Sequence, residues 1–257
     1  MAIKSPKKDY TDKSEDSKDK VIQTGNEPKN KVPFMVVEAY KSLRVQLIAT
    51  LEKTGGKVIA LSSANASEGK STTSANLAIT LSQLNKKVIL IDTDGRRGTI
   101  HQKLKLENKL GCIDVLEGKL TWQEAIKKYN PYLDVITIGK ITNNPTELFC
   151  SSAFERLITE VKNEYDYVVF DTAPINLVSD ALVIAQKCDG LVMIVRTNVT
   201  TFEEFKTAYT SIGQLNIELI GVVMNGIGDV SGYYAGYGRY GKYYKSYRKG
   251  YYSTRNR

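Results

Sequence analysis

Between residues 57 and 225, short apolar runs alternate with stretches whose apolar positions recur every three or four residues. The segments KVIALSSA (57–64), KKVILIDTD (86–94), LDVITIG (133–139), YDYVVFDTA (165–173), GLVMIVRT (190–197) and LIGVVMN (219–225) are dense in Val and Ile. They read as buried strands. STTSANLAITLSQLN (71–85), AFERLITEVKNE (153–164), ALVIAQKC (181–188) and FEEFKTAYTSIGQLN (202–216) carry helical spacing between them. Upstream, FMVVEAYKSLRVQLIATLEK (34–53) aligns Val37, Tyr40, Leu43, Leu47 and Leu51 on one face of a further helix. Continuous apolar strands separated by amphipathic helices predict an α/β domain with a mainly parallel central sheet and helices on both faces.

The flanks are different. Residues 1–34 hold 14 charges of mixed sign and three of the six prolines, too little apolar surface to offset the entropy of ordering. They are expected to be disordered. Past Asn225 the composition turns to Gly, Tyr and Lys/Arg. The chain thus divides into a disordered start (1–34), a domain (35–228, opening with the helix 35–53) and a flexible tail (229–257). The net charge of +8 sits in that tail: residues 231–257 carry seven basic side chains and no acid, leaving 29 basic against 28 acidic elsewhere. The three cysteines fall in no CxxC or Cys/His cluster, which argues against structural zinc and a disulfide framework. No apolar run approaches the ~18 residues of a spanning helix, and the start lacks a signal-peptide pattern. A cytoplasmic protein is expected.

The sequence Ala64-Asn65-Ala66-Ser67-Glu68-Gly69-Lys70-Ser71 follows the first strand and opens a helix. It is a GxxxxGK[ST] phosphate loop with Ala64 in place of the first Gly. Backbone N–H groups from Ala66 through Thr72, backed by the helix N-terminus, suit the phosphates of a nucleotide. Lys70 would reach the β- and γ-phosphates and Ser71 would ligate Mg²⁺. Two further strands end in carboxylates, at Asp92 with Asp94, and at Asp171. Ligands of open parallel sheets lie beyond the carboxyl ends of the strands. Asp92, Asp94 and Asp171 should therefore converge with Lys70, and Asp92 and Asp171 would hold Mg²⁺ through water.

The combination of ASEGKST, a strand ending DTDGRR, and VVFDTAP resembles the bacterial tyrosine kinases, regulators of capsule and exopolysaccharide assembly, over roughly residues 35–257. The resemblance implies a P-loop NTPase fold. It makes Lys70 and Ser71 the Walker A pair, Asp92, Asp94 and Arg96 the modified second motif, and Asp171 Walker B. It places the ExxRxxR motif of ring assembly on Glu38, Lys41 and Arg44, and an adenine contact on Asn225. Tyr233, Tyr234, Tyr237, Tyr240, Tyr243, Tyr244, Tyr247, Tyr251 and Tyr252 become the autophosphorylation cluster. It further implies a transmembrane activator of the polysaccharide co-polymerase type on a separate chain, a homo-oligomeric ring, a cognate phosphotyrosine phosphatase, and a position at the inner face of the membrane. Three positions depart from the family pattern: Gly95 replaces an apolar residue, Lys41 replaces an Arg and loses its bidentate fork, and Ala173 stands for the first Pro of the usual DxPP.

Two other functions compete. A partitioning or division-type ATPase switch would carry KGGxGK[ST], but here its signature Lys position is Asn65 and the next pair is Ala66-Ser67. A nucleic-acid-binding module would use the basic aromatic tail and leave the strand-end acids unexplained, so no specific nucleic-acid partner is expected. For the proton acceptor, Asp92 and Asp94 remain alternatives. His101 reads as a surface or loop residue, Trp122 as helix core and Asp180 as a helix N-cap. Arg196 reads equally as a strand-end ion pair or a group near the nucleotide.

Overall fold

A computed structural model describes residues 21–22, 32–142 and 144–227. In chain order the elements are α1 (Phe34–Thr54), β1 (Val58–Ser63), α2 (Lys70–Ser82), β2 (Val88–Asp92), α3 (Ile100–Leu104), α4 (Cys112–Leu116), α5 (Trp122–Ala125), β3 (Lys127–Asn130), β4 (Leu133–Ile136), α6 (Pro145–Cys150), α7 (Ser152–Glu164), β5 (Tyr167–Asp171), α8 (Asp180–Ala185), β6 (Gly190–Arg196), α9 (Phe202–Gln214) and β7 (Leu219–Asn225). The sheet runs β3-β4-β2-β5-β1-β6-β7. All pairings are parallel except β3 with β4, which agrees with the expected architecture.

The central strands are buried on both faces, which is why they read as unbroken apolar runs. Along β1 and β2 every residue is buried. One face is covered by α1 and α2, where Leu47, Leu51, Leu77 and Leu81 meet Ile59, Leu61 and Leu90. On the other, Phe154, Leu157, Ile158 and Val161 form the buried stripe of α7. Phe154 packs edge-on against Phe149 at 5.3 Å and Phe170 at 5.6 Å. Burying each such ring stabilises the fold by about 1.5–3 kcal/mol. Trp122 is buried on α5, as expected, with its indole N–H donated to Glu160 at 2.7 Å.

Register sets the site. Asp92 ends β2 directly beside Asp171, which ends β5, and neighbouring strands lie about 4.8 Å apart. β1 pairs with β5 on its other side and runs on to Ser63 before the phosphate loop.

Most of the stretch expected to lack structure lies outside the described residues. Val21 and Ile22 are placed: Ile22 is buried against the α1–α2 face and donates its backbone N–H to Asn76 Oδ1 at 2.7 Å. His101 sits half-buried on the short helix α3 rather than in a loop.

Candidate nucleotide site

The turn from β1 to α2 folds around two left-handed residues, Ser67 at φ 63° and Gly69 at φ 96°. A Cβ on Gly69 would lie 2.0 Å from Asn225 Nδ2, so only glycine fits. Gly69 starts α2 with no side-chain cap, and the first N–H groups of such a helix are donors without intrahelical partners. That arrangement suits an anion.

Behind the loop stand the predicted side chains. Lys70 Nζ lies 2.9 Å from Asp94 Oδ2, 3.5 Å from Asp171 Oδ2 and 3.1 Å from the Ser71 hydroxyl. Burial alone would lower the Lys70 pKa, but Asp171, Asp94 and Asp92 together hold it above the ordinary lysine value. Asp94 also accepts the backbone N–H of Arg97 at 2.9 Å. Asp92 is fully buried, with one oxygen accepting from Asp94 N at 3.2 Å and the other from Ile100 N at 3.1 Å. Burial, and then the neighbouring Asp171 charge, push its carboxyl up to about 8 against the pull of Lys70. Burial likewise raises Asp171, against Lys70 and the Ser71 and Ser74 hydroxyls.

Asp171 Oδ1 accepts from Ser74 at 2.9 Å, while Oδ2 has no hydrogen-bond donor. An orphaned carboxylate oxygen beside a hydroxyl and a cation fits a site completed by a hydrated hard cation and phosphate. Among the described residues no group of three or more His, Cys, Asp or Glu could hold a metal.

The structure thus brings together Lys70, Ser71, Asp92, Asp94 and Asp171, with Ala66 to Thr72 forming the loop and first helical turn. Asn225 reaches the same place, where its amide donates to the Glu68 carbonyl at 2.9 Å. Arg196 reaches the phosphate loop, where its NH1 donates to the Ser67 carbonyl at 3.0 Å. Asp180 is not the N-cap, which is Ser179. It is a buried carboxylate that accepts from Arg96 Nε at 3.3 Å and from the Thr146 hydroxyl. Gly95 is explained by the same brace, since a Cβ there would lie 2.7 Å from Pro145 Cβ. The strip on α1 is divided: Lys41 pairs with Glu38 at 2.8 Å, whereas Arg44 turns inward and donates to the Thr80 carbonyl of α2 at 2.6 Å. The nine tail tyrosines lie outside the described residues.

Sequence reasoning missed Ser74, the Glu68 side chain and Thr200. Ser74 carried a usable signal, because it stands four residues after Lys70 on one helix face. Thr200 carried none.

A family model described as an AAA domain matches residues 56–217. Tyrosine-protein kinase YwqD of Bacillus subtilis is 37% identical over 190 residues, covering 74% of this chain and 80% of that protein. The chain belongs to the bacterial tyrosine kinase family. The kinase domain of Escherichia coli tyrosine kinase ETK superposes with a TM-score of 0.73 at 28% identity, over 79% of this chain and 83% of that one. Tyrosine-protein kinase wzc of Salmonella typhi is 34% identical over 205 residues, covering 79% of this chain but only 28% of that protein. The chain therefore spans most of the shorter members of the family and a small part of the longer ones. No helix among the described residues is long and apolar enough to cross a membrane.

Proposed function

We propose that the chain is an ATP- and Mg²⁺-dependent protein-tyrosine autokinase that phosphorylates its own C-terminal tyrosine cluster in trans and so regulates capsular or exopolysaccharide synthesis and export. The observation that carries the reading is the Lys70 ammonium held 2.9 Å from Asp94 and 3.5 Å from Asp171, at the first turn of an uncapped helix. The tyrosine-kinase names of its relatives support the same reading, as does Asn65 at the position where a partitioning switch carries its signature Lys.

Phosphoryl transfer passes through a loose transition state, so positioning and charge neutralisation do most of the work. Backbone N–H groups of Ala66 to Thr72 would bind the phosphates, with Lys70 turning from Asp94 toward the γ-phosphoryl group. Asn225 would stand beside the adenine. Mg²⁺, when bound, would supply positive charge to offset that of the phosphates. Ser71 would ligate it, and Asp92 and Asp171 would hold its waters. The tyrosine oxygen forms the new bond to phosphorus as the bond to the β-phosphate oxygen breaks and ADP leaves. The phenolic proton, with a pKa near ~10 in free tyrosine, passes to Asp92 or Asp94.

The same reading includes a ring assembled through the α1 strip, with Glu38 and Lys41 on the interface and Arg44 holding the helix against α2, and a transmembrane activator whose cytosolic tail docks on the chain at the inner membrane face. A phosphotyrosine phosphatase would reverse the modification. Incubating the full chain with Mg-ATP, alone and with the activator tail, should yield phosphotyrosine, and Lys70→Met should abolish it. ATP hydrolysis with no phosphotyrosine under either condition would favour the partitioning-type switch.

A further inference from the structure

Glu68 places a negative side chain inside an anion-binding loop. It is wholly buried and makes no ion pair with Lys70, whose partners are Asp94 and Asp171. One carboxylate oxygen accepts the Asn65 backbone N–H at 2.9 Å. The other accepts the Thr200 hydroxyl at 2.5 Å. That hydroxyl in turn accepts the backbone N–H of Arg196 at 2.8 Å, so its single proton is committed to Glu68.

The loop needs such a hold. Ser67 sits in the left-handed region at φ 63°, a conformation unfavourable for residues with a Cβ. Glu68 closes the loop from within through Asn65 and fastens it from without through Thr200, in the connection between β6 and α9. Arg196 and Asn225 hold the neighbouring carbonyls of Ser67 and Glu68 at 3.0 and 2.9 Å.

We infer that Glu68 and Thr200 are a positioning pair that shapes the phosphate loop before nucleotide arrives, so that affinity for a nucleoside triphosphate depends on a hydrogen bond to the β6–α9 connection. The inference rests on the nucleotide site proposed above.

The test is binding of a fluorescent ATP analogue to the full chain, with steady-state KM and kcat for ATP measured alongside. Thr200→Val and Glu68→Ala should each weaken binding about tenfold, the scale expected on losing a hydrogen bond to a charged group. In Thr200→Val, KM should rise in step while kcat at saturating ATP stays within about twofold, a split that a general loss of folded protein does not produce. Glu68→Gln should recover most of the affinity, because its amide can accept from Asn65 N–H and donate to the Thr200 oxygen. The double variant should bind no more weakly than Glu68→Ala alone, as partners in one interaction do. Unchanged affinity in Thr200→Val, or effects that simply add, would overturn the pairing while wild-type binding upheld the site. Absence of wild-type binding would overturn both. If Glu68→Ala does not fold, Thr200→Val with Thr200→Ser as its rescue carries the test.

Discussion

Asp92 shows how much one side chain does in this site. Both of its oxygens accept backbone N–H groups of its own loop, Asp94 N at 3.2 Å and Ile100 N at 3.1 Å, and Gly98 lies so close that an added Cβ would fall 2.7 Å from Asp92 Oδ2. Its position is therefore fixed by the backbone, and in the proposed mechanism its carboxyl, raised by burial and by Asp171, would be left to hold the metal waters and take the tyrosine proton. Asp92→Asn removes the charge at nearly the same volume and exchanges one of those two acceptors for a donor, so one of the two backbone hydrogen bonds is lost with it. Phosphotyrosine formation should fall by at least about 100-fold, the lower range for losing a general base, with ATP affinity kept within about threefold by fluorescence titration. A collapse of affinity would make Asp92 a builder of the loop and leave Asp94 as the proton acceptor. Lys70, Asp92, Asp94 and Asp171 were legible in the sequence because parallel strands deliver their last residues to one edge. Glu68–Thr200 and Arg96–Asp180 were not: the partners stand 132 and 84 residues apart on turns or helix ends that carry no periodic pattern.

Among the elements, the strand β1 depends on a residue outside it. Asp189, between α8 and β6, accepts the Lys57 and Val58 backbone N–H groups at 2.7 and 2.8 Å and pairs with Lys162 of α7 at 2.8 Å. Burial alone would raise its pKa, but Lys162 and the two N–H donors outweigh it and hold the carboxyl below its ordinary value. Asp189→Ala should cost about 2 kcal/mol, or roughly 4–8 °C in melting temperature at neutral pH. A depressed folded-state pKa means this contribution is complete above the unfolded value near ~3.9 and is lost as pH falls through the folded one. The gap between wild type and variant should thus close in acid, and a gap unchanged at pH ~3 would assign it to packing. On α1, Arg44 ties the helix to α2 whereas Glu38 and Lys41 pair with each other. Arg44→Ala should lower the melting temperature, while Glu38→Ala with Lys41→Ala should shift the assembly to monomer in sedimentation at unchanged melting temperature. An unshifted mass would leave those two as plain surface. The long strands and helices were legible from periodicity, but β3 was not, because KKYN is polar and half-exposed at the sheet edge. Helices α3 to α6, at four to six residues, are too short to show a period.

At the scale of the whole molecule, chain length decides whose site a tyrosine reaches. From Asn225 to Tyr233 is eight residues, at most about 27 Å when extended. Tyr252 stands 27 residues beyond Asn225 and reaches up to about 90 Å by the same measure, well past the edge of its own sheet. A ring would hold neighbouring sites within that reach at high effective concentration, and the seven basic residues of 231–257 would be drawn toward Asp92, Asp94 and Asp171. Transfer is therefore expected between copies. Each phosphate adds about −1.5 to −2 charge, so about four of them cancel or reverse the tail's positive charge, and a modified tail should leave the acidic site and loosen the ring. Mixing Lys70→Met protein with an active chain ending at Asp229 isolates the step, since one copy then holds only acceptors and the other only the site. The Lys70→Met tail should gain phosphotyrosine in the presence of Mg-ATP. If it gains none under conditions where wild type is modified, each chain phosphorylates itself and the distal tyrosines fold back onto their own site.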